Sequence, residues 1–466
     1  MQQRDYKPLL TALTEAYERH APRSAALNQR ARQVLVDGGS HAMRLIEPFP
    51  PRIVDARGAW LTDEDGHRIL DFWQGHFANL LGHNPTVVTT ELAHAFEGGF
   101  GLQTGFTDLL QIELAEILCR QTGAERVRFT TSGSLATMYA VLLARAFTGR
   151  SLVMKVGGGW HGAQPWALKG VDIRIHPGHE RVHIDSQGLP AAVTEEVVVT
   201  GFNDVELLHD CFKRYGHRLA CFIVEPFIGA GGFLFATPEY LRAARTLTQE
   251  YGVVLILDEV ISGFRFRAGD LASLYGVRAD LATYGKVIGG GMPVSAVAGR
   301  ADIMALAGRE GGSRVKFSGG TYSGHPAAML AGKALLTHLV AHEQEVYGTL
   351  SALGEEMRQT MEEVFSQRGL LARCTGYGNE AVSGSSLFRI HFPYRDDLSL
   401  TRPEDIFNPA LCDLTLSDHV LQLALLLEDI HLVQGRGALT TAHTPADIAR
   451  FGEACDRVAE RVAAAL

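Results

Sequence analysis

Cysteine is scarce and dispersed: Cys119, Cys211, Cys221, Cys374, Cys412 and Cys455 never form a CxxC pair. That spacing excludes a zinc ribbon or a disulfide scaffold and suits the ordinary thiols of a cytoplasmic chain. Blocks of like charge are missing as well. The 43 Lys and Arg and 52 Asp and Glu leave a net charge of −9 and are scattered, so there is no electrostatic footprint for nucleic acid. Long apolar runs are absent too. Met1-Gln2-Gln3-Arg4-Asp5 lacks a signal core, and the most apolar stretch, 420–433, is interrupted by Gln422, Glu428, Asp429 and His431. Neither secretion nor a membrane span is expected. What is present is a chain of 466 residues, 46% of them hydrophobic, which is enough to bury one or more sizeable cores.

The first forty residues read as helix ending near Gly38-Gly39, followed by a Pro-rich segment and short strands at Ile53-Val54 and Trp60-Leu61. From about Pro85 helical and β-branched segments alternate. Leu109 to Leu118 reads as helix and Val127 to Thr130 as strand, the pattern of βαβ units and a mostly parallel sheet. Thr237 and Pro238 predict a helix start, Gly252 its end, and Val253 to Leu257 a strand buried on both faces. After Leu336 the helices lengthen, and Leu387 to Phe392 reads as another strand. The expectation is an α/β protein with three parts: residues 1–84 contribute to a small domain, 85–335 form a large domain, and 336–466 complete the small one.

Two tempting motifs fail on inspection. Gly157-Gly158-Gly159-Trp160-His161-Gly162 satisfies GxGxxG, but Pro165 follows too soon for a helix to open, and Trp160 and His161 are too bulky beside a pyrophosphate. Gly332-Lys333-Ala334 lacks the remainder of a P-loop. His338 and His342 are four apart but have no third ligand, so no metal is expected. More informative is Thr131-Ser132-Gly133-Ser134, between a strand and an apolar helix expected from Leu135. Helix-start N–H groups and hydroxyls there suit an anion, although Ser134 also reads as a plain N-cap. Asp258 ends a buried strand at the edge where α/β sheets place ligands. Lys286 lies in an apolar context before Gly289-Gly290-Gly291, a setting that lowers an amine's pKa and suits Schiff-base chemistry. An anion cradle, a flat aromatic, a strand-end carboxylate and an apolar lysine are together the parts that pyridoxal 5′-phosphate requires.

With those residues in hand, the sequence resembles the class III aminotransferases of the fold type I pyridoxal-phosphate family. Within them it is similar to the branch holding glutamate-1-semialdehyde aminomutase, β-phenylalanine aminotransferase and D-phenylglycine aminotransferase. The resemblance spans nearly the whole chain. It rests on Asp71-Phe72, Gly82-His83-Asn84-Pro85, Ser132-Gly133-Ser134 with Ala136-Thr137, Trp160-His161-Gly162, Asn203-Asp204, Val224-Glu225-Pro226, Leu257-Asp258-Glu259-Val260, Gly263-Phe264-Arg265, Gly285-Lys286 and Gly320-Thr321-Tyr322-Ser323-Gly324. It implies a large domain with a mostly parallel sheet flanked by helices, a smaller α/β domain, and a homodimer with its sites at the interface. By the same resemblance Lys286 holds the cofactor as a Schiff base and shuttles a proton, and Asp258 pairs with the pyridine nitrogen. Trp160 and Val260 sandwich the ring, Ser132, Gly133 and Ser134 bind phosphate with Thr321 of the neighbouring subunit, and Asn203 lies near the phenolic oxygen.

Departures from the family bear on the reaction. Gly133-Ser134-Leu135 replaces Gly-Thr-Glu, Gly324-His325-Pro326 replaces Gly-Asn-Pro, and Gly435-Arg436-Gly437 replaces the mutase's Glu-Ala-Gly; Ala163-Gln164-Pro165-Trp166 also departs from the mutase. Arg436 corresponds to an arginine that binds substrate carboxylate in the branch's amino-acid aminotransferases, and a guanidinium fork suits that task. Arg44 sits where the mutase has an arginine, and Trp73, Phe77 and Trp166 suggest an aromatic wall. The resemblance therefore implies ping-pong transfer between an amino acid and a keto acid, with the aminomutase reaction as the alternative. A cofactor-binding regulator without turnover is a poor fit, since Lys286 and Asp258 are both present.

Overall fold

The computed structural model describes residues 4–102, 105–173, 183–309 and 314–465. Its centre is a seven-stranded sheet of β1 (Arg126–Thr130), β2 (Leu152–Val156), β3 (Val197–Thr200), β4 (Leu219–Val224), β5 (Val254–Glu259), β6 (Leu281–Tyr284) and β7 (Ser295–Gly299). The order is β1-β7-β6-β5-β4-β2-β3. β7 runs antiparallel to both its neighbours, and all other pairings are parallel. Every residue of β2, β4, β5, β6 and β7 is buried, as continuous apolar strands covered on both faces must be.

Helix α1 (Gly133–Thr148) covers one face, with Ala136, Ala140, Leu143 and Ala144 packed towards Val153, Cys221, Val254 and Ile256. Helix α2 (Pro238–Tyr251) covers the other through Tyr240, Leu241, Ala244 and Leu247 against Phe222, Leu255 and Leu257. Its ends follow the sequence reading: the Thr237 hydroxyl accepts the Tyr240 N–H at 3.2 Å, and Gly252 closes it at φ 62°. Other boundaries move. The N-terminal helix divides into Lys7–His20 and Pro22–Arg32, because Pro22 has no N–H with which to continue the first and sets the φ of the second. The helix expected from Leu135 begins at Gly133, capped by Ser132 rather than Ser134.

Helices α3 (Pro326–Ala341), α4 (Glu343–Gln367) and α5 (Pro445–Ala465) lead into a second body of packing. There Tyr6, Leu13, Tyr17, Phe49, Leu70 and Phe72 share a core with Met357, Met361, Phe365, Phe388, Phe451 and Val458. N-terminal strands Ile53–Arg57, Trp60–Asp63 and Arg68–Asp71 form a sheet with Ile430–His431, and Arg373–Thr375, Leu387–His391 and Arg436–Ala438 form another. Among the described residues no helix is long and apolar enough to cross a membrane.

Candidate active site

The parallel strands end on a common edge, and most of the predicted residues stand on the turns that leave it. Ser132, Gly133 and Ser134 follow β1, Trp160 follows β2, Asn203 follows β3, Asp258 and Val260 close β5, and Lys286 follows β6. Asp258 is opposite Thr283 in the β5–β6 register. Its buried carboxylate accepts from His161 Nδ1 at 2.8 Å, Thr283 Oγ1 at 2.9 Å and the Val260 N–H at 3.1 Å, the kind of satisfaction a buried carboxylate requires. His161 is itself buried, Trp166 lies behind it at 22° to its ring, and its Nε2 has no hydrogen-bond partner among the described residues. Burial pushes the His161 pKa down, against the pull of Asp258, so a neutral ring donates from Nδ1.

Lys286 takes a left-handed backbone, φ 46°, immediately after Gly285. A Cβ on Gly285 would come within 2.8 Å of Ser295 Oγ and 3.2 Å of Val260 Cγ1. The strained turn is characteristic of functional positions. Burial lowers the Lys286 pKa, while Asp258 and Glu225 oppose that shift. Glu225, just after β4, accepts the Trp160 N–H at 2.9 Å and the Gly229 N–H at 3.1 Å. Burial, reinforced by the negative charge of Asp258, pushes its pKa up to about 8.

The start of α1 forms a cradle. A Cβ on Gly133 would meet Val260 Cγ1 at 3.0 Å, and one on Gly162, at φ 91°, would meet Ser134 Oγ at 2.4 Å. The Ser132 hydroxyl accepts the Leu135 N–H at 3.3 Å, and both serines are exposed. A 16-residue helix with backbone N–H groups at this end suits an anion. The neighbouring Gly-rich segment opens no helix at Gly162, and the next helical turn is Pro165–Leu168. Instead, fully buried Lys155 donates to the carbonyls of Gly159 at 2.9 Å, Ala167 at 2.9 Å and Lys169 at 3.0 Å. Burial lowers its pKa to about 8. Gln164 joins the same segment to α1 through Ser134 O at 2.9 Å and Thr137 Oγ1 at 2.6 Å, and Thr137 donates to His161 O at 2.6 Å. Trp160 is left 45% exposed at the mouth.

A second wall comes from residues 71–77. Gln74, Gly75, His76 and Phe77 have φ of 42°, 64°, 64° and 63°, one turn of left-handed helix, which costs non-glycine residues about 1–2 kcal/mol each. Asp71 holds it by accepting the N–H groups of Trp73 and Gln74, both at 2.9 Å, and His83 Nε2 and His431 Nδ1, both at 2.8 Å. Buried Arg265 donates to Phe77 O and Asn79 O. The turn brings Trp73 within 4.5 Å of His76 and 4.7 Å of Phe77, centroid to centroid. Arg436 lies 8% exposed on the adjoining strand, bonded to Gln434 Oε1. Arg44 is exposed on a short helical turn, Ala42–Arg44.

Two predicted residues stand apart. The Asn203 amide donates to Phe235 O and Thr401 O and accepts the Thr237 N–H; at φ 56° it ties the start of α2. Thr321 is exposed on a turn, next to Tyr322 at 62% exposure. Sequence reasoning gave no role to His161, Thr283, Glu225, Lys155, Gln164 or His76. His161 and Glu225 stood within quoted motifs, but His161 meets its partner Asp258 across 97 residues and the sequence carries no signal of that pairing.

Comparison with known proteins agrees with this geometry. Residues 45–380 match the family Aminotransferase class-III. A glutamate-1-semialdehyde 2,1-aminomutase from Methanothrix thermoacetophila is 33% identical over 79% of this chain and 82% of its own. An omega-transaminase structure from Sphaerobacter thermophilus superposes with TM-score 0.84 at 31% identity, covering 94% of this chain and 97% of that one. The β-phenylalanine aminotransferase structure from Variovorax paradoxus superposes with TM-score 0.83 at 30% identity, covering 97% of each chain. Sequence, fold and the arrangement around Lys286 thus converge, and the chain belongs to the class III aminotransferase family.

Proposed function

We propose that the protein is a pyridoxal-phosphate aminotransferase that moves an amino group between an amino acid and a keto acid in two half-reactions. The observation that carries this is Lys286, strained and desolvated, set beside a triply held Asp258 and near the cradle at the start of α1. The residues fit the cofactor. Ser132, Gly133 and Ser134 bind its phosphate, Asp258 holds a proton on its ring nitrogen, Trp160 and Val260 flank the ring, and Lys286 anchors it. The bound group supplies an electron sink for the carbanion formed at the substrate carbon. The Lys286 amine would move the proton at that carbon, and its burial, which lowers its pKa, favours the neutral amine that a base requires. His161 keeps the Asp258 carboxylate oriented, and Arg436, with Arg44 and Trp73 nearby, receives the substrate carboxylate.

The working unit is a homodimer in the cytoplasm, with Thr321 serving the neighbouring subunit's phosphate site and with domains divided at 84/85 and 335/336. The exposure of Thr321 and Tyr322 supports the dimer, and the wide dispersal of the six cysteines along the sequence supports the compartment. A second reading, intramolecular amine migration, is favoured by the naming of sequence relatives as aminomutases at 30–38% identity.

A half-reaction separates the two. Yellow, cofactor-loaded protein without keto acid is given α- and β-amino acids, then glutamate 1-semialdehyde, while absorbance and released carbonyl are followed together. Bleaching with stoichiometric keto acid is expected. Catalytic isomerisation of the semialdehyde without net keto release overturns the transferase in favour of the mutase.

A further inference from the structure

Three distant chain segments meet at a point that the amino-transfer chemistry does not use. His20 is the last residue of the N-terminal helix Lys7–His20, His67 stands in the turn between strands Trp60–Asp63 and Arg68–Asp71, and Asp429, at φ 56°, precedes strand Ile430–His431. One possible ligand atom of each lies within 4.8 Å of the other two. The two imidazoles are stacked, with 3.8 Å between centroids and 8° between planes. The side chains of His20, Asp429 and His67 are 26%, 31% and 22% exposed, so an ion reaches them from solvent.

Two features distinguish this cluster from a pair of ordinary ion pairs. The first is the support behind His67. Buried Asp63 accepts the N–H groups of Asp65 at 3.0 Å and His67 at 2.8 Å through Oδ1, and its Oδ2 lies 2.9 Å from His67 Nδ1. A carboxylate has no proton to give, so Nδ1 donates and Nε2 is the nitrogen left to bind. This is the carboxylate–histidine arrangement that orients metal ligands. The second is a distance. His20 Nε2 and Asp429 Oδ1 are 3.3 Å apart, long for a charge-assisted hydrogen bond of about 2.7–2.9 Å. Two ligands on one tetrahedral ion, with bonds of about 2.0–2.1 Å, stand about 3.3 Å from each other. Two imidazoles and one carboxylate suit zinc and its neighbours, whereas magnesium and calcium take oxygen ligands.

We propose that His20, His67 and Asp429 bind a divalent transition-metal ion of the zinc type, with water completing its coordination. The ring lone pairs lie in the ring planes, so binding fans the stacked imidazoles apart around the ion. The role is structural: the ion clamps segments 409 residues apart, beside the Leu70 N–H bond to Asp429 O at 2.9 Å. The site is independent of amino transfer, in which none of its three residues takes part.

Tag-free, cofactor-loaded protein is stripped with EDTA, desalted and titrated with Zn2+, and with Co2+ in parallel for its visible absorption. The wild type is expected to hold one zinc per chain and to unfold at a higher temperature with zinc than after stripping. His20→Ala and Asp429→Asn are each expected to weaken zinc binding by about tenfold or more and to abolish the zinc-dependent rise in unfolding temperature. Asparagine tolerates the left-handed backbone at position 429. Cofactor absorbance and half-reaction rates are expected to stay unchanged in both variants. Equal zinc binding by wild type and both variants, or a wild-type unfolding temperature that zinc does not raise, overturns the site. The Co2+ spectrum of the wild type decides without any variant: the intense bands of a four- or five-coordinate ion support the site, and the weak spectrum of the hydrated ion overturns it.

Discussion

Asp258 shows how much of this site is decided by single side chains. Its three donors come from the turn just after β5, from β6 and from the loop after β2. Asp258→Asn keeps an acceptor for Thr283 and Val260 and a polar contact for His161, so folding and cofactor colour are expected to survive. The charge that keeps a proton on the ring nitrogen is lost, and turnover is expected to fall about 10²–10³-fold, the scale of removing one preorganised electrostatic group; unchanged kcat would sink that role. Arg436→Ala removes one half of a buried charge-assisted contact, a loss of about 2–5 kcal/mol. It is expected to appear in the KM of amino-acid donors, with Arg436→Lys recovering only part. A KM indifferent to either change would place the substrate carboxylate elsewhere, with Arg44 the next residue to test.

At the scale of elements, the catalytic loop after β2 is built around a buried cation. Lys155→Met leaves the carbonyls of Gly159, Ala167 and Lys169 without their donor, at about 1–3 kcal/mol for each buried acceptor left unsatisfied. The loop carrying Trp160 and His161 is therefore expected to loosen. The variant should release cofactor faster on dilution, and full retention would show that Gln164 and Thr137 suffice. Lysine inside an apolar strand reads as an irregularity, and nothing near Lys155 in the sequence indicates three carbonyls arriving from residues 159–169. The parallel strands, the caps of α2, and the strand-end turns at residues 132–134 and 285–286 were legible because each is written within a few residues, as in Thr237-Pro238 or Gly285-Lys286. The Asp258–His161 bond and the left-handed turn were not. The first spans the sheet, and the second depends on Asp71 meeting His431, 360 residues later. The contacts of Asn203 were out of reach for a related reason: its amide meets Phe235, Thr237 and Thr401, 32, 34 and 198 residues away.

For the molecule as a whole, Glu225 couples the site to global stability. An unfolded glutamate titrates near pH 4.3, whereas burial moves Glu225 in the folded chain up to about 8. Between those values the folded state binds a proton that the unfolded state has lost, so this contribution is full below about pH 4 and disappears as pH rises through 8. Glu225→Gln mimics the protonated carboxyl, so the wild type's unfolding midpoint relative to that variant, taken on cofactor-free protein, is expected to fall progressively from about pH 5 to about pH 8. A difference independent of pH would mean that the carboxyl is ionised throughout.

The same long-range architecture has a consequence for how the enzyme comes into being on the ribosome. Leu70 and Asp71 pair with Ile430 and His431, and at about 5–20 residues per second the later partners emerge some tens of seconds after the earlier ones. By then β1 to β7, with Lys286 and the start of α1, are already outside the exit tunnel. The strand-end cluster around Lys286 and Asp258 is thus translated before His431 can lock the left-handed turn of residues 74–77 through Asp71. Meanwhile the apolar faces of Leu13, Tyr17 and Phe72 wait for α5, more than 370 residues later in the sequence. A nascent chain of this design has its most prolonged need of chaperone shielding at its N-terminus.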